Sequence, residues 1–162
     1  MPRKTERIRN HHKGIVKSLK AIVRRADTLT SRPGAAVRKA LTGDIEFLRN
    51  DLTPHAEGEE RGLYPEADKL IRKYGRPTAT MSREHVHLKK EIATYCRFAQ
   101  RIAAAKGPVP AATRTAFWKS AVRLEFLLSV HLEEEEEDLL PFFDKYLSQK
   151  EVNAVIEKMH GH

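Results

Sequence analysis

The chain has 162 residues, of which 40% are apolar, 32% charged and 7% aromatic, with a formal net charge of +8. This composition is typical of a folded, helix-rich protein and excludes an intrinsically disordered one, and no apolar run approaches the roughly 20 residues of a membrane span. The basic residues are spread through every segment, which indicates solvated helix faces rather than a nucleic-acid-binding patch. We therefore expect neither a membrane nor a nucleic-acid partner.

The N-terminus and the cysteine content predict a cytoplasmic protein. Residues 1–14, MPRKTERIRNHHKG, are basic but lack the apolar stretch of a secretory signal. The single cysteine, Cys96, cannot form an internal disulfide and is expected to be a small core residue. The length suits one domain, so we predict a single domain over residues 1–162.

Four stretches repeat apolar residues at steps of three and four, the spacing that keeps one helix face toward a core. In chain order they run from Ile8 to Ala26, from Val37 to Glu59, from Met81 to Ile102 and from Phe117 to Glu135. Residues 31–34, SRPG, and residues 107–110, GPVP, predict turns between the helices of each pair.

Prolines and glycines predict where the second and fourth helices end. Pro65 and Pro141 are expected to end or kink those helices. Short helical segments should follow, from Glu66 to Tyr74 with a stop at Gly75, and near residues 149–160. The predicted fold is all-α: an up-down-up-down antiparallel four-helix bundle with short extra helical segments after helices two and four.

The two halves of the chain repeat each other. Residues 55–65, HAEGEERGLYP, and residues 131–141, HLEEEEEDLLP, both begin with His and place Glu at the fourth and fifth following positions and Pro at the tenth. His12 and His85 are 73 residues apart, and His55 and His131 are 76 apart. This nearly constant spacing is what an internal duplication would leave.

The four histidines fall at one level of the predicted bundle. Each lies 19 to 22 residues from its turn, which is about 30 Å at a rise of about 1.5 Å per residue. All four continue the apolar stripes, and Glu59 and Glu135 lie one turn further along the same faces. In the run of glutamates, Glu135 is therefore predicted to face inward, Glu134 is the second choice, and the others should face solvent.

These six side chains, taken together, predict a metal site. Taken singly, each His is explained as a hydrogen-bonded core residue, and the glutamate run as a solvated helix face. The four histidines share one level of the bundle, however, and residues 55–65 and 131–141 repeat one pattern, which together favour metal ligation. A buried carboxylate is costly unless it is paired or bound to metal. Four His alone would suggest zinc, whereas carboxylates on facing helices favour dinuclear iron or manganese. The predicted ligands are His12, His55, Glu59, His85, His131 and Glu135.

The motif His12, His55-x-x-x-Glu59, His85, His131-x-x-x-Glu135 resembles the hemerythrin-like, or HHE cation-binding, domain over nearly the whole chain. The resemblance implies a four-helix bundle that holds two non-haem iron ions, with manganese or zinc as substitutes. It also implies that Glu59 and Glu135 bridge the two ions and that the four histidines are terminal ligands.

One position departs from the oxygen-carrying members of this family. They have a second histidine one turn after the third-helix ligand, and here that position is Lys89. The departure argues against reversible oxygen transport and leaves Glu60, Glu136 or a solvent molecule to replace the missing ligand. Tyr64 is expected to pack near the rim of the site.

The resemblance implies a protein that binds or reacts with a small oxidant or diatomic molecule. Peroxide, dioxygen and nitric oxide are the candidates, and catalase-like turnover of peroxide is one activity to test. The alternative is a non-catalytic iron or redox sensor, or an iron-storage module. The oligomeric state is left open between monomer and homodimer, and His11 and His87 are expected to be surface residues.

Overall fold

The computed structural model describes residues 3–72 and 78–160, and all regular structure within them is helical. In chain order the α-helices are α1 Glu6–Asp27, α2 Ala35–Phe47, α3 Thr53–Gly58, α4 Tyr64–Leu70, α5 Ala79–Ala104, α6 Ala111–Glu134, α7 Leu140–Tyr146 and α8 Gln149–His160. Three π-helical turns lie between some of them, namely π1 Leu48–Leu52, π2 Glu59–Leu63 and π3 Glu135–Leu139. The predicted all-α class is confirmed.

Two helical hairpins form the predicted antiparallel bundle. Helix α5 packs against both α2 and α6, and α1 packs against α6. The two hairpin turns lie at the same end, because the Val109 N–H donates a 2.7 Å hydrogen bond to the carbonyl oxygen of Ser31. None of the helices described is long and apolar enough to cross a membrane.

Of the two alternatives predicted for Pro65 and Pro141, that they end their helices is wrong, and that they kink them stays a prediction. Helical structure is continuous over residues 35–70 and over residues 111–146. A proline has no N–H to donate and its ring crowds the preceding turn, but π2 ends just before Pro65 and π3 just before Pro141. The wider π-helical turn makes room for the proline ring and for the missing N–H donor.

The short helical segments predicted after helices two and four are therefore of two kinds. Helices α4 and α7 continue the second and fourth bundle helices, while α8 is separate and confirms the segment predicted near residues 149–160. The segment predicted from Glu66 to Tyr74 is helical as far as Leu70. Tyr74 and Gly75 lie outside the described residues.

Two apolar clusters fill the interior, and the predicted ligands lie between them. The first cluster, toward the hairpin turns, includes Leu19, Leu41, Ile92 and Phe117, and it contains Cys96 as predicted. The second cluster joins α4, α7 and α8 through residues such as Leu63, Leu140, Phe143 and Val155. Along α1, His12 lies between Ile8 of the second cluster and Ile15 of the first. The site is therefore enclosed by apolar layers on both sides.

Helix α8 packs closely on π2 through two glycines. A Cβ atom on Gly62 would lie 2.8 Å from both the backbone nitrogen of Met159 and the carbonyl oxygen of Val155. A Cβ atom on Gly58 would collide with the carbonyl oxygen of Met159. Only residues without side chains allow α8 to lie this close to the helix that carries Glu59.

Candidate metal centre

All six predicted ligand residues are buried, with exposed fractions between 0% and 6%. Glu135 has 0% exposure, whereas Glu133 and Glu137 are exposed and Glu134 and Glu136 are half-buried. The prediction that these six side chains face inward, and that Glu135 is the inward member of the glutamate run, is confirmed. Their role as metal ligands stays a prediction.

Four of these side chains form a first donor group, made of His12, His55, Glu59 and Glu135, whose candidate donor atoms lie within 4.8 Å of one another. The His55 Nε2 atom lies 2.7 Å from Glu59 Oε1, and the His12 Nε2 atom lies 3.4 Å from Glu135 Oε2. All four of these atoms are buried and have no hydrogen-bond partner among the described residues. Buried polar atoms are nearly always paired, so their convergence fits a bound cation.

A second donor group, made of Glu59, His85 and His131, lies beside the first. The His85 Nε2 atom lies 3.3 Å from Glu59 Oε2 and 3.0 Å from His131 Nε2. Glu59 thus faces the first group with Oε1 and the second group with Oε2. Glu59 is therefore shared by the two donor groups.

Three of the four imidazoles are oriented by a carboxylate on the outer side of the ring. The Nδ1–H groups of His12, His85 and His131 donate to Glu136, Glu60 and Glu84 at 2.8, 2.9 and 2.8 Å. These bonds place the ring proton on Nδ1 and leave the Nε2 lone pair free, as metal-binding histidines require.

The free lone pairs of His85 and His131 then face each other, with their Nε2 atoms 3.0 Å apart. Two lone pairs repel at this distance unless a proton or a metal ion lies between them. Burial acts to lower the pKa of His85, but the hydrogen bonds and charges of Glu59 and Glu60 outweigh it and raise this pKa, which favours a proton there in the metal-free chain. Two nitrogen ligands at right angles, each at about 2.1 Å from one ion, would lie about 3.0 Å apart. The second group therefore also fits a metal ion.

The orienting carboxylates Glu136 and Glu60 are themselves held in equivalent ways in the two halves. The buried guanidinium of Arg9 donates to the Glu136 carboxylate, and Ser82 Oγ donates to Glu60 Oε2 at 2.9 Å. Arg9 and Ser82 are 73 residues apart, the same separation as His12 and His85. The internal repeat thus extends from the ligands to the residues that position them.

The two central carboxylates have opposite electrostatic surroundings. Burial and the negative charge of Glu59 raise the pKa of Glu135 well above its ordinary value. Burial also acts to raise the pKa of Glu59, but the surrounding imidazoles, His55 above all, outweigh it and hold this pKa well below the ordinary range. Two adjacent buried carboxyl groups cannot both ionise without added positive charge, and a divalent cation would supply that charge.

Tyr64 packs in the second apolar cluster, as expected, but it is buried and faces the centre rather than lying at its rim. Its O–H donates to Glu135 Oε1 at 2.7 Å, and its oxygen lies 3.2 Å from His131 Nε2 and 3.4 Å from His85 Nε2. Burial and the charge of Glu135 raise its pKa, so the phenol keeps its proton in the metal-free chain. Its oxygen is a further donor that could reach a metal ion in the second group.

A helical period of 3.6 residues explains why the sequence placed Tyr64 at the rim rather than facing the centre. Tyr64 is five residues after Glu59, which is far off the same face in an α-helix. The turn between them is π-helical, however, and five residues then complete close to one turn. The sequence signal was the proline that follows, because each π-helical turn here precedes one.

The remaining departures from expectation lie around the edge of the site. Glu60 and Glu136, two candidates for the missing ligand, contact the outer nitrogen atoms of His85 and His12. Lys89 points away from the centre and pairs with Glu57 at 3.0 Å on the surface. His11 is exposed as predicted, but its ring centre is 4.5 Å from that of His55, and burial together with the charge of His55 lowers its pKa to about 4.

Comparison with known proteins agrees with this geometry. The family model of the hemerythrin HHE cation binding domain matches residues 3–143. The chain therefore belongs to the hemerythrin HHE cation-binding domain family, and its buried His and Glu side chains fit a metal-binding module. Helix α8 lies outside the matched range. Searches among curated proteins and among solved structures gave no significant match.

Proposed function

We propose that this chain is a non-haem di-iron protein that reacts with a small oxidant or diatomic molecule, with peroxide as the first candidate and dioxygen and nitric oxide as the others. The proposed ligands are His12, His55, Glu59, His85, His131 and Glu135, with manganese or zinc able to substitute for iron. The observation that carries the proposal is the set of buried donor atoms of the first group that converge without hydrogen-bond partners.

Nitrogen and carboxylate donors in this ratio favour iron among the redox-active metals. Glu59 supports a pair of ions because its two oxygens face the two donor groups separately. A bound iron pair would supply the electron exchange that a peroxide or dioxygen reaction needs. One ion in the first group would pair all of its unpaired buried donor atoms, so the second ion rests on the shared carboxylate of Glu59 and on the facing Nε2 atoms of His85 and His131.

The residues around the centre have defined tasks in such a reaction. Glu136, Glu60 and Glu84 hold three imidazoles in the ligating tautomer. The apolar clusters on both sides exclude bulk water, which strengthens the electrostatic interactions inside. The Tyr64 O–H, which donates to Glu135, is the nearest proton donor to the second group. This set favours a small reactant, because larger molecules would have to displace the buried layers.

Oxygen evolution from peroxide tests the proposal. Protein loaded with iron under anaerobic conditions and freed of unbound metal should release about half a mole of dioxygen per mole of peroxide, as dismutation requires. Glu59→Gln keeps the side-chain size but removes the shared anion, and we expect it to lower turnover at least about 10–100-fold. The matched control is Glu57→Gln, which alters a half-exposed glutamate two residues away.

The proposed oxidant chemistry is contradicted if the iron-loaded chain neither evolves oxygen nor changes its optical spectrum with peroxide. It is also contradicted if Glu57→Gln and Glu59→Gln lose the same activity, since only Glu59 faces the centre. Iron that binds but ignores peroxide would favour the second candidate function.

That second candidate is a non-catalytic iron or redox sensor, or an iron store. It is favoured by the close packing of α8 on the π-helical turn that begins at Glu59, because a change at Glu59 can alter how α8 sits on Gly58 and Gly62. A sensor predicts a large, reversible change in melting temperature and in protease sensitivity of α8 when iron binds. An unchanged α8 with rapid peroxide turnover would exclude it.

A further inference from the structure

One of the four buried imidazoles lacks the carboxylate that orients the other three. Neither ring nitrogen of His55 has a hydrogen-bond partner among the described residues. The Nε2 atom faces Glu59, which leaves Nδ1 as a buried polar atom unused by the donor group. This atom points to a function on the outer side of His55.

The internal repeat shows which residue has changed. Glu84, just before His85, accepts the hydrogen bond from His131 Nδ1 at 2.8 Å. The equivalent position in the first half, 73 residues earlier, is His11, just before His12. The His11 ring lies 4.5 Å from the His55 ring, so an imidazole stands where the other half has a carboxylate.

Helix α8 brings a third imidazole to the same place. The ring of His160 is 6.5 Å from that of His11, and both residues are exposed. Two neighbouring hollows of about 290 and 330 Å³ open here, and both are lined by His11, His55, Met159 and His160. A small solute can therefore move from solvent along His160 and His11 to the buried ring of His55.

The side chains along this path have the chemistry of metal ligands. Imidazole nitrogen binds iron, zinc and related divalent ions, whereas Met159 belongs to the second apolar cluster and Arg7 and Arg61 line the outer parts of the two hollows. Two imidazoles that share one ion at metal–nitrogen distances of about 2.1 Å have ring centres about 4.6–5.3 Å apart. The rings of His11 and His160 lie 6.5 Å apart, so these two exposed side chains would approach each other by about 1–2 Å to hold one ion. Exposure makes such a site suited to brief occupancy.

We propose that His11 and His160 form an uptake site, which takes a divalent transition-metal ion from solution and passes it to His55 and the first donor group. The step is an exchange of ligands without a change in oxidation state. This inference rests on the proposed metal centre. It also gives a function to α8, which lies beyond the part of the chain that the family model matches.

The rate of metal uptake tests the proposal separately from the final metal content. Metal-free protein is mixed anaerobically with Co²⁺, whose visible absorption reports binding inside the protein. We expect the double variant His11→Asn/His160→Asn to load about tenfold more slowly at low Co²⁺ concentration, and to reach the metal content of the unaltered chain. The control His87→Asn removes an exposed imidazole on α5, and should load at the normal rate.

Each other outcome overturns the inference in a different way. Equal rates for the unaltered chain and the double variant would show that uptake does not pass these residues. A lower final content in the double variant would make His11 or His160 a permanent ligand instead. An unaltered, folded chain that takes up no Co²⁺ would overturn the metal centre and the uptake site together.

A second measurement uses the unaltered chain, so its result does not depend on how the variant folds. The centre is first filled with Zn²⁺, and a small amount of paramagnetic Mn²⁺ is then added. The proposal expects the ring NMR signals of His11 and His160 to broaden before that of His87. Equal broadening of all three, or none, would overturn it.

Discussion

The segments 55–65 and 131–141 share a sequence pattern and a backbone, yet they build two different halves of one centre. Each begins with a buried histidine, continues into a π-helical turn that starts at a buried glutamate, and crosses a proline without ending the helix. In each, the glutamate after the buried one orients a histidine of the other hairpin. The shared positions are therefore those that hold and orient the candidate ligands.

The positions that differ determine what surrounds the ligands. Gly58 and Gly62 of the first segment correspond to Glu134 and Asp138 of the second, so only the first segment can receive α8. Tyr64 corresponds to Leu140, so only the first segment supplies a hydroxyl to the centre. The duplication kept the donor set and allowed its surroundings to diverge.

The largest expected effect separates the shared glutamates Glu59 and Glu135. Glu59 belongs to both donor groups, whereas Glu135 belongs to the first and approaches the second only through Oε1, which lies 3.7 Å from His131 Nε2. We expect Glu59→Ala to abolish retention of both ions and Glu135→Ala to weaken chiefly the first. Metal content after gel filtration measures the difference. Equal losses in the two variants would contradict separate roles.

The glycines of the first segment should be next in effect. Gly58→Ala places a Cβ atom against the backbone of Met159, and this overpacking is expected to cost about 1–3 kcal/mol or to detach α8. Gly14→Ala is the matched control, because its Cβ would meet nothing within 4 Å on α1. That change should stabilise the chain by up to about 1 kcal/mol. Urea unfolding of both variants checks the sign of each effect.

A change at Tyr64 should affect the stability of the metal-free chain within the same range as Gly58→Ala, but without detaching α8. Tyr64→Phe removes the hydrogen bond to Glu135 and leaves a buried oxygen without this donor, which is expected to cost about 1–3 kcal/mol. It should also change the optical spectrum of the metal-loaded protein. Tyr146→Phe, at an exposed position on α7, should change neither. A Tyr64→Phe protein with unaltered stability and spectrum would return Tyr64 to a packing role.

The smallest effect concerns pH and the attachment of α8. Hydrogen bonds from Lys158 and Lys69 lower the pKa of Glu66, so this carboxylate stabilises the fold above its unfolded pKa of about 4.3, and the gain is lost as pH falls through the lower folded value. Glu66→Gln should therefore cost under about 1 kcal/mol at pH 7 and nothing in strong acid. Hydrogen exchange in α8 at several pH values measures this, and a pH-independent difference would contradict it.

The helices were predictable because apolar residues repeat with a period of 3.6 residues. The inward His and Glu residues were predictable because they continue those apolar stripes. The π-helical turns were not predictable, since a proline in a sequence indicates a helix end or kink, and without them Tyr64 was placed at the rim of the site instead of facing its centre. The orienting pairs, such as Glu84 with His131, join residues on different helices and have no local signal. Likewise, the sequence pattern places His11 on the surface, and its proposed role in metal uptake depends on His160, which α8 brings beside it.

The most direct test of the metal centre is the metal content of the chain, purified and iron-loaded without oxygen, with the charge-transfer spectrum before and after peroxide. The account predicts about two iron ions per chain and a new absorption band on adding peroxide. A folded chain that retains no iron would contradict it, and would make the buried imidazoles and carboxylates a hydrogen-bonded core.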